Sequence, residues 1–285
     1  MIGTVGLVLH PARDCAVAME TITGWARSRD VQVVGLASEV ERIDGYAAAV
    51  DPQHLGEAAD LIVSLGGDGT MLRAMRLSRG SRPPVLGVNL GRLGFLAEID
   101  VPDLAGALSA IDQHRFTAEP RTGVRATFAG QDAAAFNDIA LVRIPGQGAT
   151  AAVELTVEGH SFVRYAADAV IAATPTGSTA YSFSAGGPIV SPRAEGLLVT
   201  PVAPHSAFNR ALFLSSGEKL ELSVLPASAE LAVEADGIVV GHLHPGDIVD
   251  LTLLPAAAQV VRLGLTTFYQ RAQRRLRLTG SAEAD

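Results

Sequence analysis

One short run of this 285-residue chain combines residue types that could do chemistry: Gly66, Gly67, Asp68, Gly69 and Thr70, directly after the apolar stretch "ADLIVSL" (59–65). Glycines let a backbone come close to a ligand, and the free N–H groups that open a following helix make an anion cradle. A carboxylate beside a phosphate is repelled if anion binding is its only task. Asp68 therefore either handles a proton or a cation next to that phosphate, as transfer of phosphate to an alcohol demands, or caps the helix that follows. Other phosphate loops do not fit. The dinucleotide fingerprint requires glycine at 72, which is Leu72, and Gly-Lys-Ser/Thr occurs nowhere in the chain.

Further segments offer partners. "LGVNLGRLGFLAE" (86–98) supplies flexible backbone after another apolar run, with Phe95 expected near the mouth of a site. Asn137 and Asp138 in "FNDIALVR" form a donor and acceptor pair suited to ribose hydroxyls, or an ordinary turn. "YAADAVIAATPTGSTAYSFSAGGPIVSP" (165–192) runs from a strand pattern into small hydroxyl residues and paired glycines, a composition that brings backbone close to a flat ligand. His242 and His244, with Asp247, permit a metal site but read as an exposed pair flanking a Pro-Gly turn. There is no Gly-x-Ser-x-Gly elbow, since Ser182 precedes Ser184 by two.

These residues need a scaffold. Strand-like "TVGLVLH" (4–10), "VQVVGLA" (31–37), "ADLIVSL" and "PVLGVNL" (84–90) alternate with helical spacing at 13–28 and 70–78, and a further helix is expected within 101–114. Uninterrupted β-branched runs alternating with helices predict a parallel sheet covered on both faces, hence a doubly wound, Rossmann-like α/β domain. From about Arg121 short alternating strands with close turns predict an all-β domain, and after Gly264 the pattern turns helical again. The expected division is 1–119 with a terminal helix in 266–285 as the α/β domain, and 120–265 as the β domain.

Composition narrows the function. Hydrophobic residues make up 48% of the chain, enough for a sizeable core, and no apolar run has the ~18 residues that cross a bilayer. A cytoplasmic protein with no membrane partner is expected. The formal net charge of −8 argues against nucleic acid, whose binding rests on clustered Lys and Arg. Lys219 is the only lysine, so an anion grip must use arginines, backbone N–H groups or a metal. The basic run "RAQRRLRL" (271–278) reads as the exposed face of a terminal helix, and the single cysteine, Cys15, as structural.

Taken together, "GGDGT" (66–70), "GVNLGRLGFLAE" (87–98), "ND" (137–138), "DAVIAATPTGSTAYSFSAGGPIVSP" (168–192) and "TPVAPHSAFNR" (200–210) resemble, in order, the motifs of the bacterial NAD kinases. "GGDGT" is shared with lipid kinases of the diacylglycerol and sphingosine type, whereas "TPTGSTAYSFSAGGP" is highly specific. The resemblance implies an α/β domain joined to a β-sandwich and a phosphotransferase that moves the γ-phosphate of ATP, or polyphosphate, to the 2′-hydroxyl of the adenosine ribose of NAD. It implies Mg²⁺ arriving with ATP and assigns no metal ligand in the protein. Carried over, Asp68 is the base, and Gly66, Gly67, Gly69, Thr70, Arg73 and Phe95 border the phosphates and the substrate. Asn137, Asp138, Thr179, Ala180, Tyr181 and Ser184 contact adenine and ribose. Asp168 and Ala203 reach a neighbouring subunit's ligand, so a homo-oligomer, dimer or tetramer, is implied. Asp138 stands where many members have Glu, and Ala169 replaces a usual glycine. A lipid kinase, or a sensor that binds NAD(P) without catalysis, are the alternatives.

Overall fold

The computed structural model describes residues 2–43, 47–81, 83–91, 94–147, 150–205 and 208–278. Residues 92–93 of the second glycine run and 206–207 of "APHSAFNR" lie outside the described residues. The chain divides into two compact units, Met1–Pro120 with Ala258–Asp285, and Arg121–Ala257. The second passage between them therefore falls inside a strand.

In the first unit β1 (Thr4–Leu9), β2 (Gln32–Leu36), β3 (Ala48–Val50), β4 (Leu61–Gly66) and β5 (Val85–Asn89) form a parallel sheet of order β3-β2-β1-β4-β5. A short β6 (Ile99–Asp100) joins β5, and Val260 of the chain's final strand lies parallel to Val85. Between the strands run α1 (Ala16–Arg27), α2 (Ala37–Val40), α3 (Leu55–Ala58), α4 (Asp68–Ser78) and α5 (Leu104–Asp112). Alternate strand residues sort to opposite faces. Val5, Leu7, Leu9, Leu61, Val63, Leu65, Leu86 and Val88 share a core with Met19, Ile22 and Leu108 of α1 and α5. On the other face Gly6 meets Leu55 and Ala59, and Gly87 meets Met71, so α3 and α4 cover that side. Every residue of β4 is buried, as its unbroken apolar run predicts.

The second unit holds β7 (Thr117–Phe128), β8 (Gln131–Ala135), β9 (Asp138–Arg143), β10 (Ala151–Val157), β11 (His160–Ala167), β12 (Ala169–Ala173), the one-turn α6 (Tyr181–Ser184), β13 (Gly196–Val202), β14 (Leu212–Ser215), β15 (Leu220–Val224), β16 (Leu231–Ala235) and β17 (Ile238–Leu243). The final strand, β18 (Ile248–Arg262), begins there too. One antiparallel sheet has the order β14-β13-β12-β9-β16-β17, and β11-β10-β15-β18 with β7 and β8 forms the other layer. Ile139, Leu141, Val170, Ala172, Val199 and Val233 of the first sheet pack with Val153, Leu155, Leu222, Val249 and Phe128 of the second. This is the sandwich core. The sheet's outer face carries Ala140, Ile171, Ala173 and Leu198, and the chain around α6 folds over it through Tyr181, Ala185 and Val190.

After β18 the last described element is α7 (Phe268–Leu276), which belongs to the first unit. Its start is a capping box: the Gln270 N–H donates to Thr267 Oγ1 at 3.2 Å, and the Thr267 N–H donates to Gln270 Oε1 at 2.8 Å. The basic run that opens within it is not all solvated. Arg271 is buried, because its guanidinium donates to the carboxylate of the fully buried Glu98 at 3.2 Å, and only the arginines at 274, 275 and 277 face solvent. A buried acid at position 98 gives no local signal that a distant arginine will meet it.

Candidate active site

The order β3-β2-β1-β4-β5 reverses direction between β1 and β4, and open α/β sheets bind ligands beyond the carboxyl ends of strands at such a point. His10, Pro11 and Arg13 follow β1, and Gly67, Gly69 and Thr70 follow β4. With Arg73 and Arg76 of α4 they line a cavity of about 470 Å³. Arg73 and Arg76 are three apart and so share one face of their helix. The cavity combines arginines with the N-terminus of α4, the charge pattern that holds a polyanion without lysine.

Each wall is braced. An Arg73 guanidinium nitrogen donates to the carbonyl of Leu9 at 2.5 Å and pairs with Glu39, whose other oxygen accepts the Leu9 N–H at 2.7 Å. His10 Nδ1 accepts the N–H groups of Ala12 and Arg13, both at 3.1 Å, which fixes the turn after β1. Burial first, and then the cations Arg13, Arg42 and Arg73, push the His10 imidazole below its ordinary value. Thr70 is buried, with its hydroxyl packed so tightly on Gly66 that a Cβ at 66 would overlap it.

Asp68 does not cap its helix. The N-cap is Gly67, in an extended conformation, with no side-chain cap. The Asp68 carboxylate turns instead to the second glycine run, accepting the N–H of Phe95 through Oδ2 and that of Leu96 through Oδ1, each at 3.0 Å. A Cβ at Gly94 would collide with the same carboxylate. The aspartate is half-buried, with its direction set by two peptide donors. The reading of Asp68 as a helix cap is thereby replaced, and the 94–96 backbone turns out to be its holder.

In the second unit the candidates fall at two ends of one sheet. Asp138 pairs with Ala173 at one end of β9 and β12, and Val142 pairs with Ala169 at the other. At the first end Asp236, in the β16–β17 turn with φ 49°, accepts the N–H of Asn137 at 2.7 Å and of Phe136 at 3.0 Å. The carboxylate of this turn residue thereby anchors Asn137. The carbonyl of Asn137 accepts from Thr174 N–H at 2.8 Å, and a Cβ at Gly177 would overlap it, so the "TPTG" turn lies directly on the Asn137 peptide. Asp138 is 4% exposed, and no donor among the described residues reaches its carboxylate. Burial, then the carboxylates of Asp236 and Glu234, push its pKa up to about 7.

The 176–184 segment is internally pinned. Ser178 Oγ donates to the Pro175 carbonyl at 2.7 Å and accepts the Val190 N–H at 3.0 Å, and Ser182 Oγ meets Thr200 Oγ1 at 2.8 Å. Thr179 and Ser184 make only long bonds, of 3.5 Å, to the carbonyls of Thr176 and Ala180, so their hydroxyls are the least committed. The Tyr181 phenol is raised by burial, then by Glu234, Asp138 and Asp168, which places it within electrostatic reach of all three carboxylates. At the far end Asp168 forms an ion pair with Arg143 at 2.5 Å. Its N–H donates to the carbonyl of Val202, so Asp168 lies beside Ala203, a left-handed residue with φ 45°.

Sequence reasoning missed His10, Arg13 and Arg76, although the switch-point rule applied to β1 as well as β4 points to the first two. His242 is exposed on β17 and stands 3.5 Å from Glu230, and no cluster of three potential metal ligands occurs among the described residues. Cys15 is buried, and burial pushes its thiol up, as a structural cysteine requires.

Residues 8–116 match the model of the ATP-NAD kinase N-terminal domain, and residues 136–263 that of the ATP-NAD kinase C-terminal domain. NAD kinase 1 of Streptomyces avermitilis is 38% identical over 98% of this chain and 88% of its own length. The NAD kinase of Desulforamulus reducens is 35% identical over 96% of this chain and 97% of its own. Among solved structures, yeast NADH kinase complexed with NADH superposes with a TM-score of 0.87 at 25% identity, covering 99% of this chain and 89% of that one. An NAD kinase from Archaeoglobus fulgidus in complex with ATP gives a TM-score of 0.73 at 25% identity, covering 97% and 100%. With both domain models matched in order along the chain, which carries an arginine-lined cavity at the switch point, it belongs to the NAD kinase family.

Proposed function

We propose that this chain transfers the γ-phosphate of ATP to the 2′-hydroxyl of the adenosine ribose of NAD, giving NADP and ADP. The observation that carries the reading is the junction of β4 and α4, where a carboxylate fixed by two peptide donors adjoins an arginine-lined cavity at the switch point. The arginines and the N–H groups opening α4 hold the triphosphate. Asp68 accepts the proton of the 2′-hydroxyl as its oxygen bonds to the γ-phosphorus and the bond from that phosphorus to the β,γ-bridging oxygen breaks. Phosphoryl transfer depends mainly on positioning and charge neutralisation, and the base adds about 10²–10⁴-fold.

In this reading Mg²⁺, arriving with ATP, would supply charge neutralisation for the triphosphate. Asn137, Asp138, Thr179, Ala180, Tyr181 and Ser184 hold the adenosine of NAD, supported by their uncommitted polar atoms around the outer sheet face. A homo-oligomer is part of the proposal. Asp168 and Ala203, adjacent at one end of β12 and β13, are the residues that meet a second copy's ligand.

The test is to incubate purified protein and Mg²⁺ with ATP or polyphosphate against NAD or NADH, and to identify the phosphorylated dinucleotide. The expected product is the 2′-phosphate of NAD from ATP. A protein that binds NAD without consuming any donor overturns the reading, and light scattering at working concentration checks the oligomer.

A further inference from the structure

The carboxylate of Asp68 is held by the peptide N–H groups of Phe95 and Leu96, so the position of that backbone decides where the carboxylate points. What holds the backbone is a buried ion cluster. Glu98, whose side chain is fully buried, accepts from Arg262 Nη1 at 2.8 Å, from Arg271 Nη1 at 3.2 Å and from the Leu263 N–H at 2.9 Å. The same Arg262 Nη1 donates to the carbonyl of Leu96 at 3.2 Å. On its other side Arg262 Nε stands 3.6 Å from Glu119. Below, the Glu98 N–H donates to the Gly87 carbonyl at 2.9 Å, and a Cβ at Gly87 would press on the Ala97 backbone. The 94–98 strip is thus seated on β5 and pulled from the C-terminal return of the chain.

The two arginines differ in one respect. Both serve Glu98, but only Arg262 also holds the carbonyl of Leu96, the residue whose own N–H, on the other side of its Cα, ends on Asp68. Arg271 spends its other bonds on the carbonyl and hydroxyl of Thr266, at 3.1 and 3.0 Å. Breaking a buried ion pair is strongly destabilising in either case, because an uncompensated charge remains. A purely structural cluster therefore predicts the same consequence for both arginines.

We infer that Arg262 is a positioning residue for phosphoryl transfer, acting through the backbone of Leu96 to fix the carboxylate of Asp68, whereas Arg271 stabilises the fold alone. The inference rests on the reading of Asp68 as the base. Arginine suits 262 because Nη1 serves the Glu98 carboxylate and the Leu96 carbonyl while Nε faces Glu119, a spread of nitrogens over one rigid plane that the single nitrogen of lysine lacks.

The experiment compares Arg262→Lys, Arg262→Met and Arg271→Met in the full chain, alone and combined with Asp68→Asn. Steady-state kcat, KM for both substrates and Tm are measured for each. The expected result is that both methionine variants lower Tm. Arg262→Met reduces kcat by about ten-fold with both KM values within two-fold, Arg262→Lys restores part of that loss, and Arg271→Met leaves kcat within two-fold. Positions that act through one group are non-additive, so neither change at 262 lowers the residual rate of Asp68→Asn further. If Arg262→Met does not fold, the lysine variant carries the comparison with Arg271→Met. Equal effects on kcat at 262 and 271, or full additivity with Asp68→Asn, overturn the inference. Near-normal turnover in Asp68→Asn alone overturns instead the role of Asp68 on which it rests.

Discussion

Asp68 and Asp138 each open a secondary-structure element beside a glycine-bearing turn, but their surroundings are opposed. Asp68 is half-buried, has a peptide N–H on each oxygen and belongs to a unit whose nearby cavity is lined by arginines. Asp138 is buried, has no donor to its carboxylate among the described residues and feels the carboxylates of Asp236 and Glu234. One acid is aimed; the other is kept from ionising easily. The contrast suits a division of labour in which the first takes up a proton during reaction and the second, while protonated, donates a hydrogen bond to a ligand oxygen.

Removing the aimed acid should have the largest effect. Asp68→Asn is expected to lower kcat by about 10²–10⁴-fold, with the Kd for NAD, followed by calorimetry, within a few-fold. Next comes a change that leaves the acid in place but spoils its aim. Gly94→Ala puts a methyl group against the Asp68 carboxylate, and displacement on the order of 1 Å predicts a loss in kcat of up to about 10²-fold. Normal kinetics in Gly94→Ala would break the claim that direction, and not mere presence, matters at this site.

The second acid is tested by pH. The folded pKa of Asp138 is about 7, above the ~4 of the unfolded chain. Between those values the fold keeps a proton that the unfolded chain has released, so stability falls as pH rises through the window. Asp138→Asn is expected to remove that loss: its Tm should exceed the wild-type value at pH 8 and approach it at pH 5. Equal Tm differences at the two pH values would show that Asp138 is not held neutral. The smallest effect belongs to Asp236→Asn, which keeps the left-handed turn and an acceptor oxygen but drops a charge. Its expected cost in urea denaturation is about 1 kcal/mol. Because one of the carboxylates raising Asp138 is then gone, the pH window should move downward.

Local pattern made a good part of this legible. Unbroken β-branched runs can be satisfied only by strands covered on both faces, so β1, β4 and β5 and the parallel order could be read directly. The glycine-flanked Asp68, and the motif carrying Thr179, Ala180 and Tyr181, stand out because few other tasks need those residue types together. What could not be read is every contact made across long separations. Asp236 on the Asn137 peptide is 99 positions away, and Arg271 on Glu98 is 173 away. Arg271 looked solvated for that reason, since a helix pattern says which face is charged but not that a buried acid waits for one of its charges.

The amino-acid order by itself determined the alternation of elements, the change to a β architecture near Arg121 and which loops bear reactive groups, because periodicity and backbone permissiveness are properties of neighbours. Tertiary structure alone decided what those groups experience. It turned Asp68 away from its own helix onto the Phe95 and Leu96 peptides, gathered His10, Arg13, Arg73 and Arg76 around one cavity, and set Asp138 among like charges. Direction and electrostatic environment arise from residues brought close in space, and nothing in the local chain encodes them.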